Sequence, residues 1–246
     1  MGTSKWGALL AALALTAAGC GGSSEGGPGE GGGNAAPVEG TKGGKVTFLA
    51  AADVDYLDPG QTYYTFGYTV AYATNRPLYS FKPGEADTPV PDLAESEPQI
   101  SPDNRTITVK LRPGVRFSPP VNREVTAADV KYAFERAFTE NVPSGYATSY
   151  FADIAGTPEA PGEYKPISGI RTPDDRTLVL ELDKPTAVTV AAALVMPITI
   201  PVPKEYAQRF DRRNPSTYDQ HTVFTGPYMV RNDCLLYTSP SPRDRS

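Results

Sequence analysis

The chain is nearly without histidine and cysteine: its 246 residues hold one histidine, His221, and two cysteines, Cys20 and Cys234. Zinc centres, thiol nucleophiles and Ser/His/Asp triads are built from such side chains in clusters, so none of them fits here. Positive charge is also short, with 23 Lys and Arg against 28 Asp and Glu for a net charge of −5. That balance offers no basic face, and no nucleic acid is expected as a partner. Long apolar runs are missing as well. The uncharged stretch from Trp6 to Ala18 spans thirteen residues, short of the roughly 20 that cross a bilayer.

Carboxylates do not fill the gap. Asp53, Asp55 and Asp58 come closest to a metal cluster, but they adjoin Pro59 and Gly60, and turn-making accounts for them without an ion. Glu95 with Glu97, and Asp174 with Asp175, sit in loop and turn contexts that give no reason for acid–base work. No catalytic residue, metal or cofactor is assigned, and the chain is not expected to be an enzyme. Proline, in contrast, is plentiful at 25 of 246 residues, about twice the usual ~5%. Each proline forbids a helix interior or a central strand position, so short elements with long ordered connections are expected.

The N-terminal residues read as a targeting segment. Lys5 supplies a positive start, the apolar run follows, and "AAGC" closes it with small residues. Small residues before a cysteine resemble the lipobox of bacterial lipoproteins, although Ala17 stands where a leucine is commoner. That resemblance implies a signal peptide over residues 1–20 with Cys20 as lipid anchor, and so an extracytoplasmic protein attached to a membrane. The competing reading is a plain secretory peptide in which Cys20 is incidental. Residues 21–44, nearly all Gly, Ser, Glu and Pro, can bury nothing and read as a flexible tether.

The texture changes at Lys45. Val46, Phe48 and Ala50 alternate at period two and predict an opening strand. "SPDNRTITVKL" and "TPDDRTLVLEL" each set a Pro-Asp turn before a strand, with Ile107, Val109 and Leu111 on one buried face and Leu178, Leu180 and Leu182 on the other. Between them, residues 126–138 predict a helix capped by Thr126, with Asp129 three residues on and an apolar stripe of Val130, Ala133, Phe134, Ala137 and Phe138. Further helices are expected between Pro185 and Pro197 and from Pro203 onward. Strands and helices interleave, which gives an α/β or α+β class with a mixed sheet. Tyr63, Tyr64, Phe66, Tyr68 and Tyr72 form an aromatic run that reads either as core or as a ligand wall, because tyrosine combines contact area with a polar tip. Periodicity does not separate the two.

Several quoted pieces then fall into a recognisable order: "YLDPG", "NRPLYSF", "PVPDLAES", "DNRTITVKLRPGVRFS" and "EVTAADVKYAFERAF", followed by "SYFADIAGTPE", "ISGIRTPDDRTLVLEL", "IPVPKEY" and "TGPYMV". In this order they resemble the N-terminal half of the family 5 extracellular solute-binding proteins, receptors of peptide and nickel ABC importers. The resemblance covers residues 45–230 and is densest over 92–138; "FSPPVNREV" departs from it where the family has an Asp-Gly turn. It implies a type II periplasmic-binding-protein-like lobe, a peptide ligand held largely by main-chain hydrogen bonds, and a hinge that closes on it. It also implies a monomer that delivers its ligand to the permease and ATPase subunits of an importer. By position after "LDP", Tyr63, Tyr64, Thr65 and Phe66 are expected on a strand lining the cleft.

In that family the segment after "TGPY" leads into a second lobe, whereas here the chain meets "CLLYTSPSPRDRS", which has no periodicity and resembles translated sequencing adaptor. Residues 45–233 are thus expected to be the N-terminal lobe, incomplete because the second lobe is missing, and 234–246 a non-native tail in which Cys234 has no role. A one-walled lobe is expected to bind weakly and to leave sheet edges open. The alternatives are a surface hydrolase or enzyme accessory domain, and a sensory or nickel-binding receptor of the same fold.

Overall fold

The computed structural model describes Gly44 and residues 47–49, 53–85 and 87–230. The signal peptide, Cys20, most of the tether, and the tail with Cys234 lie outside the described residues. In chain order the elements are α1 (Thr65–Thr74), β1 (Tyr79–Ser80), β2 (Val90–Pro91), β3 (Gln99–Ile100), β4 (Thr106–Lys110), α2 (Ala127–Ala137), α3 (Ala147–Tyr150), β5 (Ile170–Asp174), β6 (Thr177–Glu181), α4 (Ala187–Ala192) and α5 (Lys204–Asp211). Single 3-10 turns cover Ala193–Val195, Pro197–Thr199 and Tyr218–His221. The elements are short, as the proline content requires.

The two echoing segments turn out to be partners. Each Pro-Asp stretch belongs to a hairpin, β3 with β4 and β5 with β6, and the hairpins join through their inner strands in the order β3-β4-β6-β5. Ile107 faces Leu180 and Val109 faces Leu178 across the central pair, so both apolar stripes reach one core, and all four side chains are buried. Short polar side chains close the turns. The Ser101 hydroxyl accepts the Thr106 N–H at 2.9 Å, and the Asp174 carboxylate accepts the Arg176 N–H at 2.8 Å.

Every pairing of the named strands is antiparallel, and the parallel component of the expected mixed sheet shrinks to an isolated bridge between Thr139 and Gly162. The turns joining β3 to β4 and β5 to β6 are too short for the crossover that parallel neighbours need. The strand expected at Val46–Ala50 is also corrected. Among its described residues, 47–49 lie in no strand and pair with no described strand, and Phe48 and Leu49 are exposed. Alternation proposes a strand, but a ladder partner makes one.

Helix α2 begins as the sequence predicts, with the Asp129 carboxylate accepting the Thr126 N–H at 2.8 Å in a capping box. Val130, Phe134, Ala137 and Phe138 pack with the sheet residues in the main core, and Phe134 meets Phe151 edge to face at 5.0 Å. Burying each phenylalanine contributes about 1.5–3 kcal/mol. The opposite side is also covered: Tyr132 and Ala133 join Val202, Ala207 and Tyr218 in a second cluster beneath α5. Arg123 pins the two helix starts together, bidentate to Asp129 at 2.8 and 2.6 Å and to Glu205 at 2.7 and 2.9 Å. The departure at "FSPPVNREV" is a loop bridged between Arg116 and Glu124, with Asn122 taking the left-handed turn position at φ 53°.

Candidate functional site

Asp55 organises the entry to α1. One carboxylate oxygen accepts the N–H groups of Tyr63 at 2.5 Å and Tyr64 at 3.0 Å; the other accepts the Thr62 hydroxyl at 2.7 Å and the Tyr56 N–H at 2.9 Å. It does from a distance in sequence what an N-cap side chain does, since Tyr64 at the cap position supplies no capping bond. Partial burial pushes the Asp55 carboxyl up, and the hydrogen bonds from Tyr63, Thr62, Tyr64 and Tyr56 outweigh it, holding the group below the ordinary 3.8.

With the backbone fixed, the rings assemble. Tyr63 stacks on Tyr146 with centroids 4.8 Å apart and planes 16° from parallel, and the Tyr146 hydroxyl donates to the Tyr63 carbonyl at 3.2 Å. Tyr68 and Tyr150 each lie 5.9 Å from Tyr146, and Tyr64 meets Tyr63 edge-on at 6.3 Å. A Cβ on Gly145 would come within 2.6 Å of the Tyr63 ring, so glycine there is what lets the ring lie flat. Tyr63, Tyr64 and Tyr150 remain 54%, 61% and 49% exposed, a surface that large amphipathic rings present at low entropic cost. At its rear, Tyr72 donates to the Val195 carbonyl at 2.8 Å, and burial followed by the nearby Tyr146 pushes its phenol up to about 12. Burial, with Tyr146 beside it, raises Tyr68 further still. These two phenols stay neutral at physiological pH. The Tyr68 hydroxyl is buried without a partner in hydrogen-bonding geometry.

The four residues singled out from the sequence are therefore together but not on a strand. Tyr63 and Tyr64 lead into a helix, Thr65 is its exposed first residue, and Phe66 is half-buried in its first turn. The reason is the Asp55 cap, which takes the N–H groups of Tyr63 and Tyr64 and starts the helical turn. Those two N–H groups are thereby withdrawn from any strand-like pairing with a ligand. Tyr146 and Tyr150 escaped sequence reasoning. Their spacing of four in "YATSY" was a signal, but nothing in the sequence places them against a segment some 80 residues earlier.

The scaffold also carries a buried ionic network. Arg136 is buried and bidentate to Asp58 at 2.6 and 2.7 Å, and it also reaches Asp211 through Nε at 2.8 Å and through a terminal nitrogen at 2.6 Å. Its guanidinium lies 5.0 Å from the Tyr218 ring centre. Burial works against the Arg136 charge, and Asp58 and Asp211 more than restore it; burial likewise opposes the Asp211 charge, yet Arg136, Ser216 and Tyr132 hold its carboxyl below 3.8. A Cβ on Gly60 would approach Arg136 to 2.8 Å, which explains the glycine of "LDPG". Thus Asp58 is an ion-pair partner and Asp55 a helix cap, and no metal cluster occurs among the described residues. "TGPY" is a clip on the other end of α1: the Thr225 hydroxyl accepts the Arg76 N–H at 3.0 Å, and the Gly226 N–H donates to the Thr74 carbonyl at 2.8 Å.

Residues 88–233 match the family model described as bacterial extracellular solute-binding proteins, family 5, middle region. The chain belongs to this family. Among solved structures, this family 5 chain is similar to clavulanic acid biosynthesis oligopeptide binding protein 2, at 32% identity and a TM-score of 0.63 over 74% of this chain and 32% of that one. It is similar to Listeria monocytogenes OppA bound to peptide, at 28% identity and 0.62 over 74% and 35%. It is also similar to AgaA in complex with agropinic acid from A. tumefaciens R10, at 27% identity and 0.55 over 73% and 32%. No curated protein sequence matches significantly. The family 5 chain spans about a third of the length of these solved relatives, and its fold is that of a type II periplasmic-binding lobe.

Proposed function

We propose that this family 5 chain supplies one wall of a solute-binding cleft and that its solute is a peptide. The observation that carries the reading is the tyrosine surface in which Tyr63, Tyr64 and Tyr150 are exposed and Tyr146 is half-buried and stacked on Tyr63, with Thr65 and Phe66 beside it at the helix start that Asp55 fixes. Such a wall takes up side chains by area and ring contact, and its residues include no cation to grip a compact acid. The relatives named as oligopeptide-binding or peptide-bound support this choice, and the one named as holding agropinic acid defines the competing solute class. Saturation-transfer NMR on the 246-residue chain with an oligopeptide pool and, separately, agropinic acid tests it. Peptide side-chain signals should be saturated and those of the opine should not; saturation of the opine alone reverses the assignment.

In the same reading the protein is a monomeric, extracytoplasmic lipoprotein anchored through Cys20, and it hands its solute to the permease and ATPase subunits of an ABC importer. It binds and releases without catalysis. Metabolic labelling with an alkyne fatty acid should mark the wild-type chain and leave Cys20→Ala unmarked. Label on both proteins would remove Cys20 from the account.

A further inference from the structure

A second site lies between α2 and α5, built from residues that take no part in the tyrosine wall. Tyr132, Tyr164, Lys204, Gln208 and Arg212 surround a cavity of about 290 Å³ whose floor is the Arg136–Asp211 pair. That volume stands at the small end of ligand pockets, roughly 300–1,000 Å³, and suits a compact molecule better than an oligopeptide.

Its chemistry is set by which groups are already satisfied. Both Asp211 oxygens are occupied, one by Arg136 and Ser216, the other by Arg136 and the Tyr132 hydroxyl. The Tyr164 hydroxyl donates to Glu135 at 2.5 Å and accepts from Lys204 Nζ at 2.9 Å, while Glu135 is itself 3.7 Å from Lys131. Among the described residues the carboxylates at these walls are thus engaged, and the acceptors left open, such as the Gln208 amide oxygen, are neutral. Donors are open: Lys204 has used one of three protons, and neither Lys204 nor Arg212 forms an ion pair among the described residues. Arg136, Lys204, Arg212 and Asp211 line the cavity; with Asp58 behind Arg136 and the Glu135–Lys131 pair behind Tyr164, four cations stand against three carboxylates, a positive excess on a chain that is acidic overall.

Helix geometry brings the donors to one side. Positions 204, 208 and 212 recur every four residues and span about 12 Å, within the combined reach of a lysine and an arginine. Opposite them stand the rings of Tyr132 and Tyr164, already 5.6 and 4.7 Å from Lys204 Nζ. We infer that this cavity binds a small anion, its carboxylate or phosphate held between Lys204 and Arg212 and any ring it carries lying on Tyr132 and Tyr164.

The test is an NMR titration of the isotope-labelled 246-residue chain with benzoate and with inorganic phosphate at physiological salt. Saturable shifts should centre on Tyr164, Lys204, Gln208 and Arg212 and leave Tyr63 and Tyr146 unmoved. Response to both probes shows that an anionic group suffices, whereas response to benzoate alone shows that the ring is also needed; either result supports the site. Arg212→Gln should weaken binding at least tenfold. Gln208→Glu, which sets a carboxylate between the two cations on an exposed helix face, should abolish it with the circular dichroism spectrum unchanged. No saturable response to either probe, shifts that rise linearly over basic residues generally, or full binding by Gln208→Glu would overturn the inference. Because the readout residues are separate from the tyrosine wall, failure here leaves the peptide reading intact.

Discussion

Asp55 and Asp58 stand three residues apart and serve opposite regions. Asp58 goes inward to a fully buried guanidinium, in a network where Arg136, Asp211, Tyr132 and Ser216 are mutually bonded. Asp55 stays near the surface and fixes a backbone whose side chains, Tyr63 and Tyr64, are left to solvent. One region spends its polar groups on itself, and the other leaves its rings uncommitted. The contrast teaches how a short segment divides scaffold from surface: charge is paired and buried where position must hold, and neutral ring area is left to solvent beside it.

The ionic side should break hardest. Arg136→Met leaves Asp58 and Asp211 buried without their cation, and loss of one partner from such a network costs about 3–5 kcal/mol. Urea unfolding should show that loss as a lower midpoint; a loss under about 1 kcal/mol, the size of an exposed pair, would mean the network is open to water. Asp55→Ala should cost about 0.5–2 kcal/mol, the usual worth of a cap, and should weaken the near-ultraviolet dichroism of the stacked tyrosines. Unchanged dichroism would detach the wall from its cap. Tyr146→Ala should lose the ring stacking, about 0.5–1.5 kcal/mol beyond the area it buries, and should weaken solute contact by freeing Tyr63 from its stacked position.

The pH response sharpens the same comparison. Asp55 and Asp211 titrate below 3.8 when folded, so their stabilisation is present above 3.8 and is lost as pH falls through their folded values. Tyr72 is raised from 10.0 to about 12, so its contribution is full below 10 and disappears as pH rises from 10 to 12. Thermal melts across pH should fall at both ends, the acid limb shifting with Asp55→Ala and the alkaline limb with Tyr72→Phe. An acid limb that ignores Asp55→Ala would assign the acid loss to the other depressed carboxylates, Asp211 among them.

The parts of the fold governed by local chemistry were readable in the sequence. Thr126 and Asp129 announced α2, the Pro-Asp turns announced β4 and β6, and alternation named Ile107, Val109, Leu178 and Leu180 as core. What failed or went unseen depends on partners far along the chain. The strand over Val46–Ala50 has no described neighbour at 47–49, and the expected strand at Tyr63–Phe66 gave way to a helix because Asp55 captured its N–H groups. Asp58 read as a turn residue because its partner Arg136 lies 78 positions away, and the stripe that placed α2 on the sheet gave no hint that Arg136 would be buried beneath α5. Tyr63 and its neighbours were legible as candidates; Tyr146, which stacks on Tyr63, was not, because ring stacking leaves no periodic trace.

The most direct test is residue-resolved NMR of the 246-residue chain titrated with a mixed-sequence tripeptide into the millimolar range. Progressive shifts confined to Tyr63, Tyr64, Thr65, Phe66, Tyr146 and Tyr150, and abolished in Tyr146→Ala while Arg123→Gln retains them, are the predicted result. Shifts that bypass these residues, or that survive Tyr146→Ala undiminished, would contradict the account.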